Sequence, residues 1–278
     1  MSFPSPSDAP IGVFDSGVGG LSILRHIRDQ LPNEHLIYFA DSGHAPYGDK
    51  SEQYVVDRSL LIAAFLLARG AKALVVACNT ATVAAIKAVR ARYPELPIVG
   101  VEPGLKPAAA ATHSGKIGVL ATARTLAGDK FLQLRDQIAQ ATQAEFLLQP
   151  CVGLVDQIEL GDLNTPAIDA MLERYVAPLL AQGADTLVLG CTHYPFVRAG
   201  IQRVLDAHGA HDVALIDTGV AVTRQLARLL EAGGLLRTPA ADAQPAALQG
   251  YTTASAATLA AAFSNLLGLS PAVEQVVA

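Results

Sequence analysis

The sequence predicts an α/β fold of two similar domains, each a mainly parallel sheet flanked by helices, facing each other across one cleft. Three observations predict it. Short apolar strands alternate with helical stretches along most of the chain, the pattern of parallel sheets with both faces covered. Two strand-like stretches, ALVVACNTAT from Ala73 and TLVLGCTHYP from Thr186, each stop at a cysteine followed by small polar residues. Three strand-end loops occur twice in the same order: IGVFDS and IGVLAT, VVACNT and VLGCTH, IVGVEPG and ALIDTG. In open α/β sheets ligands bind beyond the carboxyl ends of the strands, so the repeat puts both cysteines where such folds do chemistry.

Each element follows from its own pattern. Ile11 to Phe14 is a short apolar strand that runs into the glycine-rich turn Asp15 to Gly20. Leu21, Leu24 and Ile27 then recur at helical spacing, and the region from Arg28 to Pro32 ends that helix. Leu36 to Ala40 is a second strand. The loop after it, Asp41 to Gly48, carries too many turn residues for regular structure. Ser51 caps a helix that runs to Arg69 and Gly70. The first cysteine strand follows, then a helix from about Thr82 to Tyr93, then a strand from Pro97 to Val101 that ends at Glu102-Pro103-Gly104. The second round starts at Lys116 to Leu120 and the turn Ala121 to Thr125. A helix, a short strand from Glu145 to Leu148 and another helix come next. The second cysteine strand follows Gly183, with a helix behind it, and Val213 to Ile216 closes the set. The tail adds a helix from Val220 to Leu230, a strand from Leu248 to Thr252, and a helix carrying Leu259, Phe263, Leu266 and Leu267.

Composition narrows the functional classes. With 278 residues, 51% of them hydrophobic and 16% charged, the chain has material for one large or two medium cored domains. A net charge of −5 and a pI near 5.8 argue against a nucleic-acid partner, which calls for a basic face. Three cysteines are too few, and odd in number, for a disulfide scaffold, so a reduced, cytoplasmic setting is expected. The start, MSFPSPSDAP, lacks the basic segment and apolar core of a signal peptide and reads as a loose leader. The longest uncharged stretch, between Asp242 and Glu274, is too interrupted by polar and turn residues to span a membrane.

The candidate site residues sit at the strand ends. The turn GVFDSGVGG lies where a dinucleotide fingerprint would lie, but Gly17, Gly19 and Gly20 do not form G-x-G-x-x-G, and Asp15 would repel a pyrophosphate. Asp15 is instead an acceptor placed to bind an ammonium or assist a neighbouring base. No cysteine or histidine spacing indicates a metal. A buried cysteine is often only a small hydrophobe, and Cys151, which precedes no repeated loop, is read that way. Cys78 and Cys191 differ because they occupy equivalent positions of a repeat. Each precedes groups suited to holding an anion: Asn79 and Thr80 in one copy, Thr192 and His193 in the other. Both precede helices, whose N-termini lower a thiol below its usual value of about 8.5, so both are expected to be partly thiolate at neutral pH. His193 is placed to relay a proton for Cys191, and Asp15 is its counterpart beside Cys78. Glu159, on a predicted helix, reads from the pattern as a solvated charge. Two thiols on opposite faces of a substrate fit one reaction: one removes a proton from carbon, the other returns a proton to the opposite face, and the centre inverts. Donors must then converge on the carboxylate beside the developing negative charge.

Five motifs in one order, FDSGVGGLSIL, ADSGHAPYG, VVACNTAT, VGVEPG and LGCTHYP, resemble those of the glutamate racemases, from Ile11 to about the end of the chain. That family interconverts L- and D-glutamate for peptidoglycan without a cofactor. The resemblance implies that Cys78 and Cys191 are the catalytic acid/base pair, that Asp15 and His193 assist them, and that Glu159 is a further carboxylate near the site. It implies substrate-binding pairs at Asp15-Ser16, Tyr47-Gly48, Asn79-Thr80 and Thr192-His193, with Thr122 and Thr125 added. ATARTLAG departs from the family's pattern in carrying Ala123 and Arg124 where many members have a small or glycine residue before the second threonine. The resemblance also implies discontinuous domains, 1–103 with 217–278 and 104–216, flanking one active-site cleft. Glutamate is the expected partner, with no nucleic acid, membrane, metal or organic cofactor, and a homodimer is left open. Rival readings are another two-cysteine racemase acting on aspartate, a hydantoin or a dicarboxylate, an amino-acid-binding protein that does no chemistry, and a thiol redox protein.

Overall fold

β1 (Ile11–Asp15) is buried along its whole length and leads through the glycine turn into α1 (Leu21–Gln30). β2 (Leu36–Ala40) is equally buried, and two short 3-10 turns follow at Ser42–His44 and Tyr47–Asp49. α2 (Glu52–Ala68) starts at Ser51, whose hydroxyl caps the Tyr54 N–H. β3 (Ala73–Val76), α3 (Asn79–Arg92) and β4 (Ile98–Gly100) complete the first round. The second round comprises α4 (Leu105–Ala111), β5 (Lys116–Ala121), α5 (Ala123–Ala127), α6 (Asp129–Thr142) and β6 (Glu145–Pro150). It continues through α7 (Leu154–Glu159), α8 (Pro166–Ala181), β7 (Thr186–Leu189), α9 (Arg198–Ala207) and β8 (Ala214–Ile216). The tail supplies α10 (Gly219–Ala232), β9 (Leu248–Thr252), α11 (Ala256–Leu267) and β10 (Ala272–Gln275). The structure is a computed structural model that describes residues 6–238 and 245–277.

The chain divides into two compact units, Met1–Val101 with Gly219–Ala278, and Glu102–Thr218. The first holds a six-stranded sheet in the order β10-β9-β2-β1-β3-β4, and the second a four-stranded sheet in the order β6-β5-β7-β8. All their pairings are parallel. The central order β2-β1-β3-β4 of one sheet matches β6-β5-β7-β8 of the other, so the repeated loops occupy equivalent strand ends. Apolar runs fill both cores. Phe14, Phe39, Leu74 and Val76 pack under α2 and α3, while Leu187, Leu189, Leu172 and Val176 pack between β7 and α8. Apolar area removed from water is the main stabilising term for such layers.

The structure departs from the sequence reading in several places. α3 begins at Asn79, earlier than expected, because Cys78 holds an extended backbone and its carbonyl accepts from the Thr82 N–H. The second cysteine has no such helix behind it: the 3-10 turn Tyr194–Val197 separates Cys191 from α9. The sequence pattern does not predict α4 or β10. α4 is a run of alanines without amphipathic period, and β10 is a short edge strand with mostly exposed residues. The single helices expected after Thr125 and after the Glu145 strand are each two, divided at Gly128 and around Gly161. The leader is not loose where it is described. Pro6–Asp8 form a 3-10 turn, the Ser7 carbonyl accepts from the buried Lys72 ammonium, and Asp8 pairs with Arg237. A buried ammonium has to find acceptors, and Lys72 takes this one together with Glu34. The rest of the leader, residues 1–5, and the start of the uncharged stretch at Asp242 lie outside the described residues. Among the described residues no helix is long and apolar enough to cross a membrane.

Candidate active site

In the first unit the candidate residues gather at the carboxyl ends of β1, β2 and β3. Asp15 closes β1, fully buried, and the Gly20 N–H donates to its Oδ2 at 2.9 Å. Gly20 has to be glycine: a Cβ there would meet Asp15 Cβ at 2.8 Å and Ala77 Cβ and the Tyr38 hydroxyl at 3.0 Å. Tyr38 holds the same turn by donating to the Gly17 carbonyl at 2.9 Å. Cys78 lies next to this turn, with its Sγ 3.6 Å from Ser16 Oγ. Burial, and then the negative charge of Asp15, push the Cys78 thiol well above the ordinary cysteine value. The Ala81 N–H at the start of α3 and the Ser16 hydroxyl pull the other way and do not win. Cys78 is therefore a neutral thiol at neutral pH, a correction to the partly ionised state that its place before a helix predicted. Asn79 and Thr80, in the first turn of α3, are buried beside it, and Asn79 Nδ2 has no hydrogen-bond partner among the described residues.

The loop after β2 brings Tyr47 and Gly48 to the same end of the sheet. Its first residue, Asp41, donates its N–H to the Asp15 carbonyl at 2.9 Å. The Tyr47 ring is buried and its hydroxyl donates to Asp41 Oδ2 at 2.5 Å. Burial and the Asp41 carboxylate raise the Tyr47 hydroxyl above its ordinary value. Tyr47 is thus locked inward as a neutral donor. Among the described residues nothing lies within 4 Å of where a Gly48 side chain would begin, so that direction opens on free space.

In the second unit Cys191 follows β7, and the Gly190 N–H just before it donates to the Leu120 carbonyl at 2.7 Å. Cys191 Sγ lies 3.7 Å from His193 Nδ1, and His193 Nε2 lies 2.9 Å from Glu159 Oε1. Burial opposes a charge on His193, but the hydrogen bonds to Cys191 and Glu159 outweigh it and raise the imidazole well above the ordinary histidine value. At neutral pH the ring is an imidazolium that donates to both partners. Glu159, read from the pattern as a solvated charge, stands at the end of α7 in contact with His193, its side chain 31% exposed. Thr192 is buried beside the pair. Thr122 and Thr125 stand together after β5. The Thr122 hydroxyl caps α5 by accepting from the Thr125 N–H at 3.2 Å, and the two hydroxyls are 2.9 Å apart.

Each unit thus collects its own candidates. Asp15, Ser16, Tyr47, Gly48, Cys78, Asn79 and Thr80 lie in the first, and Thr122, Thr125, Glu159, Cys191, Thr192 and His193 in the second. The sequence reading missed neighbours that matter. Tyr194 is fully buried, with its hydroxyl close to both Cys151 and Cys191; burial and those sulfurs raise it, so it stays neutral. Cys151 is buried in the same core cluster as Cys191, and burial pushes its thiol up to about 12. Arg58 was missed as well, although a signal existed. It falls on the apolar face of α2 with Val55, Ser59 and Ile62, where a lone arginine calls for a buried acid. Among the described residues no group of three or more His, Cys, Asp or Glu is placed to hold a metal ion.

Known proteins with the same pattern are close at hand. The family model for Asp/Glu/hydantoin racemases matches residues 11–226. A glutamate racemase from Ectopseudomonas mendocina is 58% identical over 237 residues, which are 85% of this chain and 88% of that protein. The crystal structure of a glutamate racemase from Bacillus anthracis superposes with a TM-score of 0.85 at 31% identity and covers 98% of both chains. That of the Escherichia coli glutamate racemase, in complex with L-glutamate and the activator UDP-MurNAc-ala, gives 0.82 at 32% identity, over 97% of this chain and 98% of the other.

Proposed function

Because this chain belongs to the Asp/Glu/hydantoin racemase family and is an isomerase, we propose that it interconverts L- and D-glutamate by two-base proton transfer between Cys78 and Cys191. The substrate is carried over from relatives that are glutamate racemases over most of their length. The observation that supports the mechanism is the opposite character of the two thiols' partners. Cys78 stands against a carboxylate that keeps it protonated, and Cys191 stands against an imidazolium. A two-base racemase needs one proton donor and one acceptor in place at the same time.

In one direction the Cys191 sulfur takes the α-proton as a thiolate, and the Cys78 thiol delivers its proton to the opposite face of Cα. The turnover leaves Cys191 protonated and Cys78 as thiolate, which is the starting state for the opposite enantiomer. His193, held by Glu159, steadies the negative sulfur, and Asp15 accepts from the Cys78 thiol. The carbanionic intermediate carries its charge into the α-carboxylate, so donors on that carboxylate lower the barrier. Asn79, Thr80, Thr192 and the backbone around Ser16 and Gly48 fill that role. The product, D-glutamate, feeds peptidoglycan synthesis, and the reaction runs in the cytoplasm, where three free thiols stay reduced.

The test is to incubate the protein, dialysed against chelator, with L-glutamate in D₂O, following circular dichroism and α-deuteration together. Loss of optical activity with deuterium entering the product is the expected result. Exchange with aspartate but not glutamate would keep the chemistry and replace the substrate. No exchange with either would overturn the reading in favour of a binding protein.

A further inference from the structure

Asp41 is fully buried, and its carboxylate accepts four hydrogen bonds. Arg58 grips it with both arms of the guanidinium, Nε to Oδ2 at 2.9 Å and Nη2 to Oδ1 at 2.7 Å. The Tyr47 hydroxyl adds a bond to Oδ2 at 2.5 Å, and the Thr253 hydroxyl one to Oδ1 at 2.9 Å. The donors come from three places: α2, the loop itself, and the residue after β9. Thr253 also accepts from the Gly43 N–H at 3.0 Å, and a Cβ at Gly43 would meet the Thr253 carbonyl at 2.8 Å. So both ends of the loop are stitched down, at Gly43 to the β9 end and at Tyr47 to Asp41. Asp41 itself is tied through its N–H to the Asp15 carbonyl.

A buried ion pair of this kind is weak evidence for stability, because both charges lose their hydration. What a two-pronged arginine gives is fixed geometry. We infer that Asp41, Arg58 and Thr253 are positioning residues for substrate binding, which set the place of the Tyr47-Gly48 backbone relative to Asp15. None of the three needs to touch substrate. The inference rests on the reading that Tyr47 and Gly48 contact glutamate. It assigns a consequence for substrate binding to Thr253, which belongs to the tail that returns after α10, and to Arg58, which lies inside a helix.

The test uses Thr253→Val, Arg58→Lys and Arg58→Met in the full-length protein. Each is measured for KM and kcat in both directions and for hydrogen–deuterium exchange of the amides of residues 43–50. Thr253→Val is expected to raise KM for both enantiomers about tenfold while kcat moves less than about threefold, the signature of lost ground-state positioning. Arg58→Met is expected to be worse, and Arg58→Lys to recover part of the loss. Loop amides should exchange faster in the same order. If Arg58→Met does not fold, Thr253→Val carries the test. A folded Thr253→Val with wild-type KM and wild-type loop exchange would overturn the inference. A wild-type protein inactive on glutamate would instead count against the proposed function, and loop exchange alone would then decide the positioning claim.

Discussion

The two cysteine sites stand at equivalent strand ends of a repeated sheet, yet their surroundings have opposite sign. At Cys78 the neighbours are the Asp15 carboxylate and the Ser16 hydroxyl, and burial with the carboxylate holds the sulfur protonated. At Cys191 the neighbour is an imidazolium braced by Glu159. The backbone differs too. Cys78 caps α3 directly, whereas Cys191 is followed by a 3-10 turn in which His193 is the residue just before Tyr194. Duplicating a strand end supplies two thiols. Two equivalent thiols can share one proton, and the side chains around each sulfur bias which of the two carries it.

The largest test of that comparison removes a sulfur. Cys78→Ala and Cys191→Ala should each lower racemisation about a thousandfold or more in both directions, with unchanged far-ultraviolet circular dichroism. Normal racemisation by either folded variant would break the two-base account.

A smaller effect sharpens the His193 side. His193 has a raised value in the folded protein, so its charge-dependent bonds are fully present below the ordinary histidine value of about 6.5 and are lost as pH rises through the raised one. Activity should therefore fall on the alkaline side as the imidazolium loses its proton. Glu159→Gln removes one of the two partners that raise it. The alkaline limb of the kcat/KM profile should move to lower pH, with a loss of about tenfold or less at its maximum. An unmoved limb would mean that Glu159 does not tune His193.

The smallest effect is a control at the other end of β7. Asp185 accepts from the Thr112 hydroxyl and from the N–H groups of His113 and Ser114, and although burial opposes ionisation, these bonds hold its carboxyl down to about 2. Its contribution is present above the ordinary aspartate value and is lost as pH falls through about 2. Asp185→Ala should cost on the order of 2 kcal/mol in urea denaturation at neutral pH, with kcat unchanged. A large loss of kcat with little loss of stability would show that carboxylates outside the two sites matter to the chemistry.

Much of this was legible in the sequence. The strands Leu36–Ala40 and Leu248–Thr252 carry their limits in apolar runs between turn residues, and Ser51 announces α2 by its capping chemistry. The repeat of strand-end loops corresponds to the shared strand order of the two sheets. Other features could not be read locally. An alanine run such as α4 has no period to detect, and the exposed β10 has little apolar signal. The protonation of Cys78 follows from burial against Asp15, a contact between residues distant in sequence, whereas the helix-start rule that predicted a thiolate sees only the residues beside it. Glu159 looks like any surface acid until α7 is placed against His193. Arg58 was visible as an arginine on an apolar helix face, but its partner was hidden in a loop.

The most direct measurement is the ionisation of Cys78 itself. The Cys151→Ala/Cys191→Ala double variant leaves it as the only thiol, and its thiolate absorbance can be followed against pH. The account predicts that the thiolate appears only well above the free-cysteine value of about 8.5, and that adding Asp15→Asn brings it down. Ionisation at or below the free value, or a midpoint indifferent to Asp15→Asn, would contradict the claim that Asp15 holds Cys78 as the proton donor.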